Sequence, residues 1–377
     1  MTQVAPLPPP VLAATARGWS AIAPSALPHW CARLQETPAS LFQYPYWNEP
    51  LRALHFAPQY LAYQHGKDAL AFACVLRLGV PGARIGLVQR GPVGLGANGS
   101  VPAEALVALQ RWARSHGYVF LRFTHDSADL LDEVANVGDT RRVDAFPFYR
   151  EPQEELLVEQ HHDDDAVLRG FQPVARRNLK KAAEVGFQLE SSDDPQSLSA
   201  VWPLFEGLAR RKRLSFRPEA SYRTIVELAR PHDGARVHVA RVGERTVQAI
   251  LVVRDRDRAH YISGALDTEA LGDTPSPSVL LHWQAMRDAY RRWGCTQYDL
   301  GTRSGNVYPF KRKFRPVERH CPPPATLVIN PTLFRVWFGA GLPAITQQWP
   351  RIKRVLSRTG GSPAARAPEP AAEPADE

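Results

Sequence analysis

Phe310-Lys311-Arg312-Lys313-Phe314 sets a lysine between two phenylalanines, a short way past Tyr298-Asp299-Leu300-Gly301. That second segment reads as the end of a strand, where α/β sheets place functional groups. A lysine held still beside apolar walls there can stabilise an oxyanion or grip a phosphate. A second cluster, Arg176-Arg177-Asn178-Leu179-Lys180-Lys181, falls on a helix opening after Pro173. It reads as a phosphate track or as a solvated basic face. His161-His162-Asp163-Asp164-Asp165 has metal-binding residue types, but adjacent residues on a regular element cannot all face one ion. A solvated loop between domains is the better reading, and no metal site is expected. The glycine-rich run Arg90 to Gly96 suits a structural turn better than a phosphate cradle, given its proline. HExxH, GxxxxGK[ST], GxSxG and GxGxxG are all absent. The four cysteines are far apart with no CxxC, against a disulfide framework or a structural zinc and in keeping with a reducing cytoplasm.

The elements that must position these residues repeat. Leu61–Arg77 and His238–Arg254 both read as strand, glycine turn, strand, with Gly66 and Gly243 at matching positions 177 apart. Glu104–Phe123 and Leu281–Leu300 both read as an amphipathic helix ending at glycine, then a strand; Gly117 and Gly294 are again 177 apart. Two segments in register at one offset indicate a duplicated unit. Each copy adds a further strand, Arg84–Gln89 or Ala259–Ser263, giving mixed strands crossed by helices: an α/β (α+β mixed) sheet architecture. On Val279–Trp293, Trp283, Met286, Tyr290 and Trp293 recur at steps of three and four, a core-facing stripe. Residues 1–28, rich in Pro and Ala, are expected to be irregular, and 359–377 a disordered low-complexity tail.

With 377 residues, 44% hydrophobic and 22% charged, the chain suits two globular domains rather than a disordered polymer. No apolar run is long enough for a transmembrane helix, and the proline-broken start lacks the basic region of a secretory signal. The net charge of +8 favours anionic partners.

Four motifs in order resemble the FemABX-type peptidyltransferases and their relatives with a BioF2-like or CelD-like acetyltransferase domain. They are RGPV (Arg90–Val93), RRNLKKAAEVGFQLE (Arg176–Glu190), LLHWQAMRDAYRRWGCTQYDLG (Leu280–Gly301) and FKRKF (Phe310–Phe314). The likeness spans roughly residues 40–330. It implies two GNAT-like acyltransferase domains in tandem, at 29–155 and 156–319, with a strand at Ala325–Ile329 returning to complete the first through 320–358. It implies an aminoacyl-tRNA donor, no bound cofactor, and a free amine of a UDP- or lipid-linked peptidoglycan precursor as acceptor. Lys311 would contact the oxyanion and Phe310 the 3′-terminal adenosine. Arg176, Arg177, Lys180 and Lys181 would follow phosphates, with Arg211, Asp299 and Lys313 as further substrate contacts. The chain departs from the family pattern FKxGFG, having Lys313 and Arg315 at its glycines. It also has Leu51 where a muropeptide-binding lysine is expected after Gln43–Trp47. Two other readings stand beside this one: an acyl-CoA-dependent N-acyltransferase, and a non-catalytic GNAT-fold protein of envelope assembly. The loop Asp267–Ser278, with three acidic residues and one glycine, does not suit a CoA pyrophosphate. The aromatic and basic segment Leu333–Arg358 suits packing on the first domain, or contact with an anionic membrane from the cytoplasmic side.

Overall fold

Gly66 and Gly243 take φ of +67° and +55°. They close two-residue turns that fold long apolar runs into hairpins. These hairpins begin two sheets in a computed structural model describing residues 17–80, 83–141, 143, 146, 153–214, 216–303 and 307–341.

The first repeat supplies β1 (Arg17–Ala21), β2 (Phe56–His65), β3 (Asp68–Val80), β4 (Ala83–Gln89), β5 (Val93–Gly94), β6 (Phe120–Thr124) and β7 (Thr140–Arg141). Next come β8 (Glu154–Glu159), β9 (Gln188–Ser192), β10 (Ala235–Val242), β11 (Arg245–Arg254), β12 (Arg258–Leu266), β13 (Gln297–Asp299), β14 (Val317–His320) and β15 (Ala325–Val328). The first sheet runs β1-β2-β3-β4-β6-β15-β7, with β5 on β3; the second runs β14-β8-β13-β12-β11-β10-β9. Asp68 and Arg245 open β3 and β11, Phe120 and Gln297 open β6 and β13, and Thr140 and Val317 open β7 and β14; each pair lies 177 positions apart. In both sheets one parallel pair, β4–β6 or β12–β13, is joined by a crossover helix, Ala103–Ser115 or Ser278–Trp293. The duplication therefore extends through the whole architecture.

The repeats exchange strands. β8 pairs with β13 and β14 in the second sheet, whereas β15 crosses back to pair with β6 and β7 in the first. Glu154 and Glu155, expected in the first domain, are thus residues of the second sheet. A second correction concerns the start of the chain. Residues 17–21 fall within the span expected to be irregular, yet they form the edge strand β1, because β2 offers a free ladder from Arg17↔His65 to Ala21↔Leu61. Trp19 anchors it, its Nε1 donating to Ala105 O at 2.7 Å. Residues 1–16, the tail 359–377 and the segment beyond 341 with Trp349, Lys353, Arg354 and Arg358 lie outside the described residues.

Apolar burial forms three layers. One core lies under Ala103–Ser115 on the outer face of the first sheet, and another under Ser278–Trp293 on the outer face of the second. The largest is shared: inward residues such as Phe72, Leu76 and Phe120 of one sheet and Val237, Leu251 and Val253 of the other enclose the same cluster. Trp283, Met286 and Trp293 of the sequence stripe are buried in the second outer core. No helix among the described residues is long and apolar enough to cross a membrane.

Candidate functional site

β12 and β13 pair over only three rungs, from Arg258↔Gln297 to His260↔Asp299. Beyond that rung β12 continues to Leu266 beside β11 alone, so the two parallel strands part. The chain leaving β13 turns at Gly301, whose φ of +75° disfavours a side chain. A Cβ there would also stand 3.7 Å from the Lys311 ammonium. Lys311 ends the helical turn Tyr308–Lys311 and donates from Nζ to Thr302 O at 2.8 Å. Its side chain is buried. Burial lowers its pKa, and the neighbouring Asp299 charge works in the opposite direction. The ammonium keeps two further donors beyond the Thr302 carbonyl.

Asp299 belongs to a buried relay. His260 Nδ1 lies 3.0 Å from Asp299 Oδ2 and Nε2 lies 2.9 Å from Asp255 Oδ2. Asp299 Oδ1 accepts the Gly301 N–H at 2.6 Å. Asp255 Oδ2 also accepts the Leu41 N–H at 3.1 Å, a contact from the first repeat, and its Oδ1 accepts the Asp257 and Arg258 amides. Burial alone would lower the His260 pKa, but the two carboxylates override it and push it up to about 9. Burial would raise both carboxylates, yet His260 holds Asp255 and Asp299 below the usual range. The trio is therefore an imidazolium clamped by two carboxylates, and it fixes the strand end that carries Thr302.

Aromatic rings wall this end. Phe310 and Phe314 meet edge to face at 5.3 Å, and His282 lies 5.3 Å from Phe310 and 5.7 Å from Phe314. Burial, then His238 and Lys311, lower His282 to about 3, so it is neutral beside the lysine. Lys313 places its ammonium 5.8 Å over the Phe310 ring. Arg315, at one of the family's glycine positions, has φ of +48°, a conformation that glycine adopts without strain.

Lys311, Phe310, Asp299 and Lys313 are thus brought together. Arg211 sits at the far end of β12, donating to Leu266 O at 2.9 Å. Arg176, Arg177, Lys180 and Lys181 lie exposed on the helix Pro173–Val185. Arg176 uses Nη1 on the carbonyls of Phe171 and Arg169, at 2.6 and 3.1 Å, which caps the preceding helix. Arg90, at the head of the glycine-rich run, is buried and pairs with Asp126 and Glu155, tying the two repeats together. Among the described residues no group of His, Cys, Asp and Glu is arranged to hold a metal. Sequence reasoning missed His260, Asp255 and His282. The available signal for His260 and His282 was a ring nitrogen at a buried position of a largely apolar strand or helix; Asp255, in the turn between β11 and β12, carried none.

Side chains of the loop from Asp267 to Pro277, between β12 and the crossover helix, engage two backbone amides. Asp267 Oδ1 accepts the Ala270 N–H at 3.1 Å, and Ser276 Oγ accepts the Ser278 N–H at 3.3 Å. Arg211 and Arg245 face the Asp267 carboxylate.

Residues 169–312 match the family model of an acetyltransferase (GNAT) domain. No curated protein matches the sequence. Among solved structures the chain is similar to FemX, with 14% identity and a TM-score of 0.70 over 84% of this chain and 99% of that one. It is also similar to a conserved protein of unknown function from Bacteroides thetaiotaomicron VPI-5482, at 8% identity and a TM-score of 0.59 over 82% and 98%. L-PGS from Bacillus licheniformis follows at 13% identity and a TM-score of 0.52 over 85% and 97%. With the internal repeat, these likenesses establish the fold as two GNAT-like domains in tandem.

Proposed function

We propose that the chain is an aminoacyltransferase that moves an aminoacyl group from aminoacyl-tRNA to a free amine of a peptidoglycan precursor. The observation that carries this reading is Lys311, a buried ammonium held on the Thr302 carbonyl where the parallel strands part. In ester aminolysis the acceptor nitrogen attacks the ester carbonyl and forms the C–N bond. Negative charge then gathers on the carbonyl oxygen, and the free donors of Lys311 stabilise it. Collapse breaks the bond to the tRNA ribose oxygen, which leaves as a hydroxyl while the amine gives up its proton. Phe310 offers a ring face for the terminal adenosine. The exposed Arg177, Lys180 and Lys181 form no ion pair among the described residues and are open to phosphates.

The match to an acetyltransferase model favours acyl-CoA as a second donor. The loop before the crossover helix supports the first reading. Helix-start amides are what would bind a pyrophosphate; here Ser276 already takes the first amide of the crossover helix, Ser278, and the acidic Asp267 and Asp273 stand in the loop before it. The test is an incubation of the full chain with radiolabelled aminoacyl-tRNA and either UDP-linked or lipid-linked muropeptide. A product heavier by one amino acid, with tRNA affinity falling steeply from about 50 to 200 mM salt, is expected. Acetyl transfer from acetyl-CoA without aminoacyl transfer would overturn the proposal.

A further inference from the structure

A cleft of about 610 Å³ opens at the edge of the first repeat, far in sequence from Lys311. Its walls include His55, Arg77, Arg84, His116, Val119 and Leu333, and among the described residues no acidic side chain lines it. Arg77 is half-buried, and its side chain forms no hydrogen bond or ion pair among the described residues. Arg84 gives one donor to the His116 carbonyl and lies 5.9 Å from the Tyr118 ring centroid. His116 is pinned, stacked on Trp112 at 4.5 Å with Nδ1 against Trp112 O at 2.8 Å. Two arginines thus line a cleft that has no counter-charge among the described residues.

The second repeat shows how the same place looks when it is filled. Arg254 lies 177 positions after Arg77 and spends its donors on the carbonyls of Asp233 and His232, at 3.0 and 3.2 Å. Trp293 lies 177 positions after His116 and packs beneath the Arg254 guanidinium at 5.8 Å. Both arginines are half-buried, but one repeat has satisfied its arginine's donors and the other leaves them open toward an anion.

The rim indicates which anion. The helix Pro331–Val336 puts Leu333 into the cleft wall, 43% exposed, and Val336 one turn further on the same face, 60% exposed. Phe334, Trp337 and Phe338 hold this segment down on Phe120, at 5.6, 5.7 and 5.6 Å. A free phosphate would need only the cationic cleft. A cationic cleft rimmed by firmly seated, outward apolar side chains matches a bilayer interface, with phosphate in the cleft and apolar groups at the acyl boundary. We propose that this cleft binds the phosphate of an anionic phospholipid headgroup and seats the first repeat on a membrane surface.

The proposal does not depend on the transfer reaction. Its test is co-flotation of the full chain with phosphatidylcholine vesicles, with or without phosphatidylglycerol. Binding to the mixed vesicles alone is expected. Arg77→Gln, which breaks no partner contact, should weaken it about fivefold, and Arg77→Gln with Arg84→Gln about thirtyfold, at ~1 kcal/mol for each arginine near the surface. Leu333→Ser with Val336→Ser should weaken vesicle binding and leave binding of inorganic phosphate unchanged. Thermal melting checks that each variant is folded, and Arg77→Gln stands alone as the readout if the double variant is not. Equal binding by Arg77→Gln and the native chain would overturn the proposal. So would phosphate binding in the cleft without vesicle binding, which would make it a site for soluble phosphates.

Discussion

The two repeats share a scaffold and differ in what it holds. In the second, the parallel strands part after three rungs, and Lys311, Asp299 and His260 gather at the opening. In the first, β4 and β6 stay paired through Gln89↔Thr124, the last residues of both strands. Gly86 keeps that pair close, since a Cβ there would fall 2.5 Å from Leu121 Cδ2. The position 177 before Lys311 is Val134, buried in the apolar outer core. The position 177 before Asp299 is Arg122, and across its strand stands Leu87, not a histidine. A chemical site on this scaffold thus depends on a lysine and on strands that part. It also depends on a buried charge trio, which costs desolvation and must be complete to be tolerated.

The comparison breaks most severely at His260. His260→Ala leaves Asp255 and Asp299 buried without a counter-charge, and denaturant unfolding should show a loss of about 3–5 kcal/mol. A loss below ~1 kcal/mol, the range of an exposed ion pair, would mean that the trio does not hold the strand end. The native chain should also report it through pH. His260 is raised to about 9, so its stabilising charge is fully present below 6.5 and is lost as pH rises through about 9. His238 and His282 are buried neutral, with pKa values lowered to about 3, so their contribution is lost as pH falls from 6.5 toward 3. The thermal midpoint should therefore peak near neutrality, and His260→Gln should remove the alkaline slope while also changing the acid limb, because Asp255 and Asp299 lose the charge that keeps them ionised.

Lys311→Met is next. It should reduce aminoacyl transfer by 10²–10³, about 3–4 kcal/mol of transition-state stabilisation, and barely move the thermal midpoint. Lys311→Arg should rescue poorly, because a planar fork does not replace a compact ammonium. Near-normal transfer by Lys311→Met would remove the lysine from the mechanism. The readouts should reverse at the matching position: Val134→Ala should cost roughly 2 kcal/mol of stability and leave the transfer rate unchanged. The smallest effect is expected at Arg315→Gly, which relieves a left-handed backbone of about 1 kcal/mol and should leave unfolding within that range of the native chain.

Much of this frame is legible in the sequence because local backbone rules mark it. Hairpin turns at Gly66 and Gly243 and helix ends at Gly117 and Gly294 all require positive φ, so the repeat survives where side chains have diverged. Lys311 is legible through its flanking phenylalanines, which already mark an apolar wall. His260 and its pairing with Asp299 are not, because 39 residues separate the two and only the crossover through Ser278–Trp293 sets their strands in register. β1 is hidden for a related reason: its Pro- and Ala-rich surroundings carry no strand pattern, and its order comes from the β2 edge it completes. The cleft at Arg77 is equally silent, since an unpaired arginine looks like a paired one until its neighbours are placed.

The strand exchange has a consequence for how the protein is made. When residue 320 has been synthesised, every strand of the second sheet exists, yet β6 and β7 still lack β15, which begins at Ala325. The earlier-made half therefore finishes after the later one, against the usual N-terminal-first order of synthesis and folding. Until then β6 keeps an open edge, Phe120 to Thr124, that closes only by reaching across some two hundred intervening residues. A ribosome that stalls just short of that strand would release a chain whose second sheet has all its strands and whose first carries an unpaired, apolar edge. Such an edge readily captures a strand from another chain. The last few residues of β15 are thus the latch on the half of the molecule that was translated first.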